Sequence, residues 1–180
     1  MENYNSEKFI KNVLVHDVQK LIDNRFNYFA FVIIGQGIEV LGSFFDDKPF
    51  DYYERGLPKK RFKRGLKLME NIKYQELGNF LWDNFRCALV HQLKIKKEIT
   101  LTSYQDGAND EVHLKKGDKS NLIYLVVDTL FENFKVACEK VIEEVGKEDS
   151  EIIMSKKEKI HIIVRKTELQ INPDGTITEL

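Results

Sequence analysis

Hydrophobic positions along the chain recur with helical spacing over most of its length. Phe9, Val13, Leu14, Val18, Leu21 and Ile22 predict a helix from Ser6 to Asn24, with Ser6 as its N-cap. The stretch Asn27 to Phe45 is apolar nearly all round, which predicts a central, buried helix ended by Asp46, Asp47 and Pro49. A loop rich in aromatics and charge, DDKPFDYYERGLPKKRFKRG, is expected next. Leu77, Leu81, Phe85, Leu89 and Leu93 then form an i, i+4 stripe that predicts a helix from Gln75 to Leu93. EITLTSY and EVHLK read as short strands around the turn DGAND. Ser120 is expected to cap a long amphipathic helix running to Val145 and closed by Gly146. KIHIIVRKTELQI, the turn NPDG and TITEL predict a terminal β hairpin.

This order predicts a mainly α protein: a four-helix bundle with a small antiparallel β insertion and a C-terminal β hairpin. A single domain is expected, with the helical core over residues 6–146 and β embellishments over 98–115 and 159–180. Hydrophobic residues at 42% and charged residues at 32% suit a globular chain.

Gln36, Glu39 and three glycines interrupt the apolar stretch from Tyr28 to Phe45, so it reads as a core helix and not as a membrane span. MENYNSEKFI has no apolar run behind a basic start, so no secretory signal is expected and a cytoplasmic location is. GQGIEVLG after FAFVII imitates a dinucleotide fingerprint, but Val40 stands where the third glycine belongs and no βαβ series follows. Close helix packing is the better account of those glycines. Cys87 and Cys138 are far apart, which argues against a disulfide framework or zinc knuckle; no cofactor and no metal are expected.

The sharpest chemical signal is Arg86 and His91 in NFRCALVHQL. Arginine is rarely buried without a partner, and histidine exchanges a proton near neutral pH. Together they suit phosphodiester chemistry: one group moves a proton and the other meets charge developing on the phosphate oxygens. Residues five apart are separated by about 140° around an ideal helix, so the two do not share a face automatically. The structural alternative has Arg86 bridged to Asp83 or Glu39, with His91 at the helix C-terminus.

Net charge is −1, yet basic residues cluster on both sides of this helix: Lys59, Lys60, Arg61, Lys63, Arg64 and Lys67 before it, Lys94, Lys96 and Lys97 after it. Such segregation is what a phosphate-backbone binder needs, and Phe50, Tyr52, Tyr53 and Phe62 are candidates for stacking on unpaired bases.

The segment FLWDNFRCALVHQLKIKKEI resembles the signature of HEPN domains, small helical bundles with an R-x4-6-H motif. The upstream helical pair and the long helix that follows fit that setting, and Glu39 resembles an acidic residue that often accompanies the motif. The resemblance implies a metal-independent endoribonuclease, or an inactive nucleic-acid-binding or nucleotide-binding relative. Arg86 and His91 would be catalytic, with Glu39 or Asp83 orienting them. Lys59, Lys60, Arg61, Lys63, Arg64, Lys94, Lys96 and Lys97 would hold the RNA backbone. It also implies a homodimer, and a protein antitoxin or regulatory partner of a toxin–antitoxin or defence system. The rival reading is a non-catalytic helical adaptor in which Arg86 and His91 are structural.

Overall fold

The computed structural model describes residues 5–117, 122–147, 169–172 and 176–179. The chain is mainly helical. Helix α1 covers residues 6–23: α-helical at Ser6–Phe9 and Val18–Asp23, π-helical at Ile10–Asp17. Asn5, not Ser6, is its N-cap, and its side chain accepts from the Lys8 N–H at 2.8 Å. Helix α2 is Asn27–Ser43 and α3 is Leu57–Leu68. A short α4, Ile72–Glu76, leads into α5, residues 78–92, which is α-helical at Gly78–Leu81, π-helical at Trp82–Arg86 and α-helical again at Cys87–Gln92. Helix α6 is Val127–Gly146. No described helix is long and apolar enough to cross a membrane.

Helix α2 lies at the centre, as its all-round apolarity predicts. Ala30, Phe31, Ile34, Ile38 and Leu41 are fully buried, and α2 packs on α1, α3, α5 and α6. Its closest neighbour is α3. A Cβ on Gly42 would sit 1.8 Å from the Arg61 carbonyl oxygen, and one on Gly65 would sit 1.9 Å from that of Ile38. The two backbones therefore touch, and any side chain at either position must push them apart. The glycine run that imitates a nucleotide loop is a helix-packing surface: Gly35 faces the Phe85 ring and Gly37 the Phe134 ring.

Three further expectations are corrected. Residues 57–65 of the expected loop belong to α3. Gly56 at φ 87 precedes it and Pro58 enters its first turn, where a missing N–H costs nothing. Leu57, Phe62 and Leu66 supply the buried face, hidden in the sequence by the intervening lysines and arginines. Second, the small sheet is parallel, not antiparallel. β1, Ile99–Thr102, pairs with β2, Ile123–Val126, in the register Ile99↔Ile123. EVHLK is no strand; Asp110–Val112 is a 3-10 turn, and only Lys116 makes an isolated bridge to Ile123. Third, the last helix begins at Val127 because Ile123–Val126 is taken up by the sheet; Ser120 lies outside the described residues. At the C-terminal end, β3, Leu169–Ile171, pairs antiparallel with β4, Ile177–Glu179. Pro173, Asp174 and Gly175 of the expected turn, and residues 159–168 of the expected hairpin, lie outside the described residues.

Candidate nucleic-acid interface and the Arg86 pocket

Arg86 closes the π-helical turn of α5. The Cys87 N–H reaches back to the Trp82 carbonyl, five residues away, which widens the helix where it meets α2. The residue is 8% exposed and its side chain turns inward. Its Nη2 lies 2.5 Å from Glu39 Oε2 and donates to Gln36 Oε1 at 3.1 Å, both partners on α2. The Glu39 contact is a close, largely buried ion pair. The Trp82 ring stacks on the guanidinium, with 4.8 Å from Cζ to the ring centroid. Nε is buried and has no hydrogen-bond partner.

Burial pushes the Glu39 carboxyl above its ordinary pKa, against the pull of Arg86, Arg61 and His91. Burial also raises the pKa of the Cys87 thiol, with Arg86 opposing it, which disfavours the thiolate.

His91 is in the last turn of α5 and exposed. It does not share a face with the buried Arg86, in keeping with the angular offset of five helical residues. The helix ends at Gln92. Leu93 takes a left-handed conformation at φ 47, its N–H bonds the Leu89 carbonyl at 3.0 Å, and its own carbonyl accepts from the Tyr28 hydroxyl. Beyond that turn Lys94, Lys96 and Lys97 are exposed.

The other expected site residues are distributed differently. Asp83 is exposed and does not hold Arg86 or His91; it faces Lys59 across α3 and α5 at 3.6 Å. Arg61 is not a backbone-binding residue. It is 5% exposed, grips Asp46 through Nε at 2.8 Å and Nη2 at 3.1 Å, and donates to the carbonyls of Lys48, Pro49 and Phe50. It ties the chain after α2 back onto α3. Arg64 is half-buried and contacts Gly42 O and Asp46, each at 3.4 Å. Lys60 is exposed, and Lys63 is half-buried beside Gly78. Of the aromatic candidates, Phe62 is fully buried against Trp82 and Phe50 packs on Phe44, so neither is offered to a base; Tyr52 and Tyr53 are exposed.

Gln36 and Trp82 were not among the expected site residues. Their signal lay in helical spacing: Gln36 is three residues before Glu39, and Trp82 four before Arg86, so each pair shares a face. His113 had no such signal. It is buried, accepts from the Val126 N–H at Nδ1 at 3.0 Å, and meets the Tyr74 hydroxyl at Nε2 at 2.8 Å. Burial pulls its pKa down to about 4 and raises that of Tyr74. It is a fastener between β2 and α4. No three of the described His, Cys, Asp and Glu residues gather as metal ligands. No family model matches the sequence, and no curated protein or solved structure matches it either.

Proposed function

We propose that the protein binds RNA along the edge where α5 ends, and that it is a HEPN-like, metal-independent endoribonuclease with His91 as the proton-transfer group. One observation carries this reading. His91 is exposed in the last helical turn, the next three lysines are exposed beyond it, and the same helix carries a buried arginine with an unfilled donor. The lysines supply sequence-independent attraction for the phosphate backbone. His91 takes the proton of a ribose 2′-OH as the bond from that oxygen to phosphorus forms. The bond from phosphorus to the 5′-oxygen breaks, and water protonates the leaving oxygen. The product end is a 2′,3′-cyclic phosphate, and the chemistry needs no metal.

Arg86 reaches the phosphate only by exchanging Glu39 for phosphate oxygens. Burial raises the pKa of the Glu39 carboxyl, which lowers the cost of separating it from its cation. Incubation with mixed RNAs in EDTA tests the reading. Wild type should cleave and leave cyclic phosphate ends, and His91→Ala should be slower by about 10²–10⁴-fold. Arg86→Lys keeps the charge but loses the planar fork, and should also be impaired. Cleavage by both variants at the wild-type rate, or 5′-phosphate products that require metal, would sink the enzymatic reading.

A second reading, the non-catalytic adaptor, is favoured by the burial of Arg86 in an ion pair at 8% exposure. It predicts RNA-independent behaviour for both variants and a loss of stability for Arg86→Lys.

A further inference from the structure

Of the aromatic residues near the basic run 59–67, Phe50 and Phe62 are packed inside, while Tyr52 and Tyr53 are exposed. A second exposed aromatic group lies elsewhere. At the turn between α1 and α2, Phe26 is 56% exposed and Phe29 57%, with Tyr28 partly exposed between them and edge-on to Phe29 at 6.3 Å. Among the described residues no other phenylalanine is exposed, so two phenyl rings more than half in water within four residues of each other stand out. The turn that presents them is well defined. Arg25 takes a left-handed conformation at φ 64, its N–H bonds the Ile22 carbonyl at 2.9 Å, and the Phe26 N–H bonds that of Leu21 at 2.7 Å.

The Tyr28 hydroxyl donates to the Leu93 carbonyl, 65 residues away in sequence. That bond places the aromatic corner against the turn that starts the Lys94–Lys96–Lys97 segment. Residues 25–29 and 91–97 hold the cations Arg25, Lys94, Lys96 and Lys97 and no acidic residue. Among the described residues none of these four cations forms a salt bridge, whereas Lys59, Arg61, Arg64 and Arg86 all do. Unneutralised cations beside solvated rings match the two chemical halves of an unpaired nucleotide: the phosphate is a poor ligand for phenyl rings and a good one for lysine, the base the reverse. A partner protein of ordinary charge would have to bury four cations without a built-in counter-charge.

We propose that the Phe26–Tyr28–Phe29 corner is a base-stacking platform for single-stranded RNA, with Arg25, Lys94, Lys96 and Lys97 tracking its backbone. The inference rests on the RNA-binding reading above and specifies its substrate as unpaired RNA. It does not depend on cleavage.

The test is fluorescence anisotropy with a labelled oligouridylate and a labelled RNA duplex, on the full chain with His91→Ala in the background to prevent turnover. Three proteins are compared: the parent, Phe26→Ala/Phe29→Ala, and Lys94→Gln/Lys96→Gln/Lys97→Gln. The aromatic pair should weaken oligouridylate binding about ten- to a hundredfold, since stacking contributes about 1–3 kcal/mol per base, and leave its salt dependence unchanged. The lysine triple should flatten that dependence. The duplex should bind the parent and the aromatic variant alike. In an independent measurement, Phe29→Trp should lose indole fluorescence on adding oligouridylate and not on adding duplex, a readout that holds even if the double alanine variant folds poorly. If the parent binds neither RNA, the RNA-binding reading itself fails. If the parent binds oligouridylate, the aromatic pair binds equally and Phe29→Trp is not quenched, RNA binding stands and the platform is overturned. The platform is equally overturned if Phe26→Ala/Phe29→Ala keeps its RNA affinity but loses self-association or binding to phosphatidylserine vesicles.

Discussion

Two arginines are buried to nearly the same degree, Arg61 at 5% exposure and Arg86 at 8%, and they are held in opposite ways. Arg61 has a bidentate grip on Asp46 and three carbonyl acceptors in the same short loop. Its charge is neutralised and each of its nitrogens is engaged. Arg86 has one carboxylate at a single nitrogen, one amide oxygen, an indole face and an Nε with no partner. Both lie in basic or motif segments that the sequence marks as candidates for binding. A fully satisfied buried arginine is a fastener, since any ligand would have to replace five good interactions. Arg86 is held less completely, with one buried donor unfilled, and the two sites should therefore respond differently to losing their arginine.

The largest effect should come from the crossing that carries Arg61. Gly65→Ala places a methyl group 1.9 Å from a backbone oxygen on the neighbouring helix, with no flexible side chain to give way. Chemical denaturation should show a loss of about 4 kcal/mol or more, or no folded protein. If Gly65→Ala is as stable as wild type, α2 and α3 are not in backbone contact.

Next in size is the comparison itself. Arg61→Met leaves Asp46 buried without its main cation and should cost about 3–5 kcal/mol. Arg86→Met should cost less, about 1–2 kcal/mol, because Glu39 is already pushed toward its neutral form by burial. Equal losses in urea titrations would erase the distinction between the two sites.

The pH dependence of stability sharpens it further. Glu39 has a folded pKa above its unfolded one, so the stability it contributes is present below the unfolded pKa of about 4.5 and fades as pH rises through the folded value. Glu39→Gln removes that titration, and wild type should therefore lose stability relative to Glu39→Gln as pH rises across this range. His113 has the opposite sign. Its folded pKa is depressed to about 4 from 6.5, so its contribution is complete above 6.5 and is lost as pH falls toward 4, by up to about 3 kcal/mol. His113→Gln should flatten the acid side of the stability profile and leave the Glu39 effect in place.

The smallest change is at the end of α5. Leu93 is 65% exposed and holds a positive φ, which suits glycine. Leu93→Gly should stabilise by about 1 kcal/mol in thermal unfolding, since little packing is lost and backbone strain is relieved. A loss of stability would mean that the turn is held by the leucine side chain, and not by the Tyr28 hydroxyl.

Much of the helical frame was legible because it depends on local spacing. The stripes at 9–22, 77–93 and 122–145 each report a face that must be buried somewhere, whatever it is buried against. The all-round apolarity of 27–45 likewise implies a central position. Where charge density overlaid the spacing, as in KKRFKRGLK, the signal for α3 was obscured: its buried face is made by Leu57, Phe62 and Leu66, and one of the cations between them is buried too. The parallel pairing of β1 with β2 was not legible, because the EITLT strand had a nearer apparent partner in EVHLK. The competing strand, IYLV, was read as the start of a helix.

At the site, the sequence by itself determined the cast: an arginine and a histidine on one amphipathic helix, carboxylates within reach, lysines beyond the helix end. It even held Glu39 and Asp83 as alternative partners for Arg86. Only the tertiary structure decided between them, giving Arg86 to Glu39 and Asp83 to Lys59, and it turned Arg61 inward while leaving Phe26 and Phe29 in water. The reason is physical. Periodicity is a property of a short segment and survives in one dimension, whereas the partner of a buried charge depends on which helices cross and how closely. Here that crossing is set by two glycines whose missing side chains let α2 and α3 touch.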